Sequence, residues 1–254
     1  MDELDVARSG AIAVLTLNRP ARLNALSTEL RRAVVQALAA CAKDPSVRVV
    51  ILTGAGERGF CAGQDLHESG ELAPEDAGSW MRSWQDYFHS LGTFPKPIIA
   101  AVNGVAAGAG FETALLADVR IASHRSRFVM AEVDVGLPAI VGGHLLTLHL
   151  GRSRAQELVL TGRSLSVEEA DDCGLVHEVV SPELLKARAL ERAHELASKP
   201  PNAMDLTVKF FRESCVGPLA EAELAAIAYQ SDAIASGQPQ AAMKAFFTQR
   251  NALR

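Results

Sequence analysis

Branched apolar residues crowd the segment "AIAVLTL" and stop at Asn18-Arg19-Pro20, which predicts a strand ending in a turn. The spacing then changes. Leu30, Val34, Leu38 and Cys41 recur near helical intervals. Ser27 or Thr28 can cap that helix, Glu29 suits its first turn, and Asp44-Pro45 ends it. The run "VRVVILTG" is almost continuously apolar, as a strand covered on both faces requires. A polar stretch leads to a helix bearing Trp80, Trp84 and Phe88, closed near Pro95 and Pro97, and then to the strand "IIAAV" and the loop "NGVAAGAG". Beyond it "FETALLAD" reads as helix, "VRIAS" as strand, "RAQELVLTG" as helix and "LVHEVV" as strand. Strand and helix alternate, so the fold class is α/β.

After Pro182 the strand pattern ends. Leu184, Leu185, Ala189, Leu190 and Leu196 mark one helix, and three more helical stretches follow, punctuated by Pro200-Pro201, Gly217-Pro218 and Gly237-Gln238-Pro239. The expected organisation is a core over residues 1–195 and a helical region over residues 196–254. Short Ala-rich helices with no sheet of their own pack on the core or on a partner subunit.

At 254 residues and 48% hydrophobic content, the chain suits one large domain with an ample core. A formal net charge of -5 without a basic tract weighs against nucleic acid or an anionic membrane as the main partner. No apolar run reaches the ~18 residues of a membrane span. The acidic start "MDELDVARSG" lacks the layout of a signal peptide, so a cytoplasmic location is expected. Cys41, Cys61, Cys173 and Cys215 lie far apart with no CxxC pair, which predicts reduced packing residues rather than zinc ligands or disulfides. His144 and His149 are wrongly spaced for helical metal ligands, and a GxSxG elbow is absent, so neither a metal nor a serine hydrolase is called for.

"GAGERG", Gly54 to Gly59, satisfies GxGxxG after a strand. The dinucleotide fingerprint also needs a helix opening at the glycines and a later acidic residue ending a second strand, and "FCAGQDLHESGELAPED" supplies neither. More telling are two strands that each run into a small-residue loop, "CAGQD" and "GVAAGAG". Each loop alone reads as a tight turn. Emerging at one sheet edge, the two can aim backbone N–H groups at a common point, which is an oxyanion hole. Glu112 follows the second loop, and Glu132 lies in "FVMAEVDVGLP". Alone, the first suits a helix dipole and the second a surface; with the loops they form a constellation.

At these residues the sequence resembles the enoyl-CoA hydratase/isomerase family, the crotonase superfamily. The likeness runs in order through "LNRPARLNAL", "VRVVILTGAGERGFCAGQDL", "PKPIIAAVNGVAAGAGFETALLADVRIAS", "RFVMAEVDVGLP", "LVLTGRSLSVEEADDCGLVHEVV" and "AMKAFFTQR", nearly the whole chain. The resemblance implies a crotonase-like spiral of ββα units and a C-terminal helical region that mediates trimerisation, giving a homotrimer or a dimer of trimers. It implies an acyl-CoA thioester as substrate, with coenzyme A carried in on it and no separate cofactor. By motif position the backbone N–H groups of Gln64 and Ala109 would hold the thioester oxygen. Glu112 would activate water, and Glu132 would supply the α-carbon proton. Arg22, Asn24, Ala25, Arg58, Ala62, Gly63, Asp65 and Lys244 would lie along the coenzyme A, with Phe246 and Phe247 near its adenine end.

Retention of both glutamates favours hydration over isomerisation, which can run on one carboxylate. Decarboxylation, thioester hydrolysis and a non-catalytic RNA-binding role are more distant alternatives. The sequence departs from family hydratases where Ala131 replaces a proline before Glu132 and where Pro138 comes one position early, followed by Ala139, Ile140 and Val141. That segment is expected to border the acyl pocket, with Trp80 and Trp84 as candidates for its wall.

Overall fold

The computed structural model describes residues 2–70 and 77–252. The chain opens with an antiparallel hairpin, β1 (Leu4–Ser9) and β2 (Ile12–Leu17), and then α1 (Thr28–Lys43). Ser27 caps α1, its Oγ accepting from the Leu30 amide at 3.0 Å. Three similar turns of chain follow: β3 (Val49–Gly54), β4 (Gly59–Cys61), short α2 (Leu66–Gly70) and α3 (Ala77–Gly92); β5 (Ile98–Val102), β6 (Val105–Ala107) and α4 (Ala109–Leu115); β7 (Val119–Ser123), β8 (Arg127–Val129) and α5 (Ile140–Leu150). The remainder is α6 (Arg152–Thr161), β9 (Ser164–Ser166), α7 (Val167–Asp172), β10 (Glu178–Val180), α8 (Leu185–Ala197), α9 (Pro201–Ala235) and α10 (Gln238–Ala252).

In each turn the first strand joins a six-stranded sheet of order β1-β2-β3-β5-β7-β10, and the second joins a four-stranded sheet of order β4-β6-β8-β9. Pairing is parallel from β2 through β10 in the large sheet and from β4 to β8 in the small one. This is the ββα spiral that the resemblance implies. The large sheet is covered on both faces, as its apolar strands require: Val50 and Leu52 of β3 enter the main core, while Val49 and Ile51 meet Leu185, Ala189 and Ala193 of α8.

Several elements differ from expectation. The second strands are three residues long and show no periodicity, so Val105–Ala107 lies hidden inside what reads as a glycine loop. "GAGERG" leads into β4 rather than a helix, which agrees with rejecting the dinucleotide fingerprint. Residues 71–76 of the stretch after it lie outside the described residues. Helix α5 forms despite Gly142 and Gly143.

Gly217-Pro218 does not break the tail: α9 runs through Pro218 as one helix of 35 residues. The C-terminal half of α9 is fixed by burial of Leu219, Ala222 and Ala226, and it packs along α3 and α5. Burial of that stripe offsets the hydrogen bond that proline forfeits. Farther back, Arg212 ties α9 to the core through Asp118 at 2.8 Å and the Phe94 carbonyl at 3.2 Å.

Candidate active site

The two glycine loops abut. Gly63 has φ +84°, and a Cβ there would lie 2.5 Å from the Ala107 carbonyl oxygen and 3.1 Å from the Ala109 nitrogen. Only glycine permits both the turn and the approach. Gln64 forms a parallel bridge with Leu26, in which the Gly63 carbonyl accepts from Leu26 at 2.7 Å and the Asp65 amide donates back to Leu26 at 3.3 Å. Because successive amides alternate sides along an extended chain, the Gln64 N–H faces away from Leu26. Ala109 opens α4, and among the described residues neither its amide nor that of Gln64 donates to a protein acceptor.

A second close approach locks α4 to the first loop. A Cβ on Gly110 would sit 2.2 Å from the Cys61 carbonyl oxygen, a backbone atom that cannot swing aside. Gly110→Ala is therefore expected to destabilise the fold by about 1–3 kcal/mol, lowering the melting temperature by several degrees, as differential scanning calorimetry would read. An unchanged melting temperature would show that the loops are not clamped together. The Cys61 thiol itself is pushed up to about 12 by burial, so it is not a nucleophile at neutral pH.

Two carboxylates complete the centre. Glu112 lies on α4 one turn after Ala109 and is buried, accepting a hydrogen bond from the Gly142 amide. Burial, and then the neighbouring Glu132 charge, raise its proton affinity well above that of an ordinary glutamate. Glu132 opens a 3-10 turn, Glu132–Val135, and is half-buried; burial raises its carboxyl as well, opposed by its own amide. A Cβ on Gly108, at φ +50°, would come within 2.9 Å of Glu132 Oε1, so the bare glycine makes room for that carboxylate. Among the described residues Glu132 Oε2 has no hydrogen-bond partner.

Gln64, Ala109 and both carboxylates line one cavity of about 660 Å³. Ala62, Gln64, Ala109, Glu112 and Glu132 reach it, as do Ala131, Pro138, Ala139, Ile140 and Val141 of the departing segment. Trp84 is in the wall, while Trp80 stands behind it edge-on, ring centroids 5.9 Å apart. The other predicted residues are distributed differently. Asn24 is fully buried as a strap, its Nδ2 donating to the Gly59 carbonyl at 2.8 Å and to that of Ala55 at 3.0 Å. Asp65 is paired with Arg19 at 2.8 Å and also accepts from the His67 amide. The Ala25 carbonyl accepts from the Arg19 guanidinium at 2.6 Å. These contacts brace the loop, so the side chains of Asn24 and Asp65 are committed within the protein rather than held ready for a ligand. Arg22 and Arg58 are exposed and, among the described residues, unpaired with any acid. Lys244 is exposed on α10, whose Ala242 and Ala245 reach the cavity. The side chains of Phe246 and Phe247 lie outside the described residues.

Inspection of the sequence missed the tail's share of the chamber. Glu223, Ala226, Ile227 and Gln230 project into it from one face of α9. Their i, i+3, i+4, i+7 spacing was the available signal.

The chamber brings together one buried and one half-buried carboxylate, both of raised proton affinity, within a two-sheet ββα spiral, an arrangement suited to acid–base chemistry. Comparison of the sequence with known families matches residues 7–253 to "Enoyl-CoA hydratase/isomerase". The chain is 42% identical over 200 residues to the 1,2-epoxyphenylacetyl-CoA isomerase of Escherichia coli, covering 77% of this chain and 76% of that one. It is 38% identical over 216 residues to the 2,3-dehydroadipyl-CoA hydratase of the same organism, covering 84% and 83%. The crystal structure of an enoyl-CoA hydratase/isomerase from Mycobacterium paratuberculosis superposes with a TM-score of 0.90 at 27% identity, covering 96% of this chain and 98% of that one. The protein belongs to the enoyl-CoA hydratase/isomerase, or crotonase, family.

Proposed function

We propose that the protein is an enoyl-CoA hydratase, adding water across the 2,3-double bond of an acyl-CoA thioester. The observation that carries this is that Glu112 and Glu132 face one cavity, each with raised proton affinity. Such a pair shares a proton; the reaction draws on the state with Glu112 ionised as base and Glu132 protonated as acid, against the resting preference, since burial and the Glu132 charge raise Glu112 further. Glu112 takes a proton from water as the oxygen bonds to C3, and the double-bond electrons pass onto the thioester oxygen. Glu132 then delivers its proton to C2 as the enolate collapses. The sum is substrate plus water, with the shared proton moved from Glu132 to Glu112.

The negative charge that develops on the thioester oxygen needs donors already in place. The unspent amides of Gln64 and Ala109 are suited to that task, each contributing about 3 to 4 kcal/mol when preorganised and kept from water. Arg22, Arg58 and Lys244 are exposed cations without an acidic partner among the described residues, suited to the phosphates of coenzyme A. No cofactor beyond the coenzyme A of the substrate enters this scheme. Gain of water is tested by the loss of conjugated-thioester absorbance on mixing with 2-enoyl-CoA thioesters.

The mechanism requires the singly protonated pair, which fixes the sign of its pH dependence. Loss of the shared proton ends turnover on the alkaline side. Because burial raises both carboxyls, that limb lies well above the ordinary glutamate range. A profile of kcat/KM that is already falling near pH 5 would contradict it.

A second reading, double-bond isomerisation, is favoured by the 42% identity to an isomerase and differs in leaving the product at substrate mass. For assembly we propose a homotrimer or a dimer of trimers, supported by Leu206, Phe210, Phe211 and Leu224, exposed on α9. Sedimentation of a monomer at micromolar concentration would refute it. Among the described residues no helix is long and apolar enough to cross a membrane, in keeping with a proposed cytoplasmic location.

A further inference from the structure

Glu112 rests against the start of α5, and the residue it meets there is bare. Gly142 is the third residue of α5, where backbone amides have no partner within the helix, and its N–H donates to the Glu112 carboxylate. A Cβ at Gly142 would lie 2.9 Å from Glu112 Oε1 and 2.6 Å from Met130 Cε, with Met130 Sδ closer still. These atoms are the ends of side chains, so they would move before the backbone did. Gly142 has the negative φ of an ordinary helical residue, so its conformation does not call for glycine. Contact does.

The next residue supplies a built-in comparison. Gly143 stands in the same turn of α5, and a Cβ there would have nothing within 4 Å. Glycine inside a helix is less favourable than alanine, and both positions carry that cost. Only at Gly142 does the missing methyl group let a carboxylate come down onto a backbone amide. Glu132 is seated likewise against Gly108, but the φ of +50° there would strain any replacement whatever it touched.

The electrostatics agree with this seat. Burial and the Glu132 charge favour the protonated form of Glu112, and the Gly142 amide opposes them. The other titratable side chains about α4 are Tyr87 of α3, whose hydroxyl meets that of Thr113 at 2.9 Å, and Cys61 of β4; burial pushes both upward, so they stay neutral. The first turn of α5 carries no charge, His144 beyond it is kept neutral by burial, and Glu223 reaches the chamber from α9.

We propose that Gly142 is a positioning residue for the catalytic base: its amide and its lack of a side chain together fix the Glu112 carboxylate at the start of α5 for proton transfer. The proposal rests on the reading of Glu112 as the base of hydration and adds how that base is held.

The test compares Gly142→Ala with Gly143→Ala. The first is expected to lower kcat by about 10²-fold with KM near that of the parent, approaching loss of the base itself. Gly143→Ala is expected to keep the parent's kcat. The acid limb of kcat/KM, where Glu112 takes up a proton, moves to higher pH in Gly142→Ala alone, because a weakened amide contact favours the ionised form less. Carboxyl resonances of protein labelled with heavy carbon at glutamate, that of Glu112 assigned by its loss in Glu112→Gln, read the same shift without turnover. Gly142→Ala is also made together with Met130→Ala, which removes the overlap with the thioether and leaves that with the carboxylate. Relative to Met130→Ala alone, the loss is expected to persist. Parent-like kcat and titration in Gly142→Ala, an equal loss in Gly143→Ala, or recovery in the Met130→Ala background overturns the assignment while leaving hydration intact. A Glu112 resonance shifted in Gly142→Ala alone, with no hydration by the parent, instead removes the hydratase reading and leaves the seat standing.

Discussion

Replacing Glu132 with Gln is expected to slow the proposed hydration of a 2-enoyl-CoA by about 10²–10⁴-fold, and Glu112→Gln to do the same, the range for loss of a positioned general acid or base. Glutamine preserves size at both positions, so the loss falls on proton transfer rather than packing. The double variant is expected to be little worse than either single one, because in the proposed mechanism each carboxylate is idle without the other. Stability moves the opposite way. A carboxyl whose folded proton affinity is raised binds protons more readily folded than unfolded, so its contribution is most favourable at low pH and declines as pH rises from the unfolded pKa through the raised one. Glutamine has no such decline. Glu112→Gln is therefore expected to melt higher than the parent at pH 8 and to lose that advantage near pH 4. Parent-like hydration by either variant would remove both carboxylates from the mechanism.

Ala109→Pro is expected to lower kcat by about 10²–10³-fold with the fold retained, as when one oxyanion donor is lost. Proline is tolerated at the first position of a helix, which Ala109 occupies in α4, and its ring replaces the one backbone N–H at issue. The preceding residue is Gly108, the residue type least hindered by a following proline. Ala109→Gly keeps the amide and separates its loss from that of the methyl group, so it is expected to lose far less activity. Equal activity of the two variants would show that the Ala109 amide does not carry charge stabilisation.

The large-sheet strands and the helices with a clear apolar stripe were legible because burial on a regular face imprints a period: Val49 to Leu52 on β3, and Leu30, Val34, Leu38 and Cys41 on α1, are buried as the pattern predicts. The small sheet left no such imprint, since three-residue strands such as Phe60 with its neighbours show no repeat. Gly217-Pro218 reads as a break in isolation; whether a helix continues through it depends on what the far side packs against, here α3 and α5.

The same contrast holds at the site. Glu112 stood out because it directly follows a glycine-rich loop, whereas Glu132, a strand farther on, gained meaning only together with the loops. Asn24 and Asp65 sit in the same motif, yet their partners, Gly59 and Arg19, become visible only when the loop is folded. Glu223 reaches the chamber from a helix far along the chain, and contact across that sequence separation leaves little mark on the local pattern.

The central claim is that the paired carboxylates put water onto an enoyl thioester held by two amides. Mass spectrometry of the product formed from a 2-enoyl-CoA in water labelled with heavy oxygen tests it most directly. Hydration gives a 3-hydroxyacyl-CoA heavier than the substrate by one labelled water, with the label at C3, and gives none with Glu112→Gln and Glu132→Gln combined. A product of unchanged mass with the double bond moved would contradict the account.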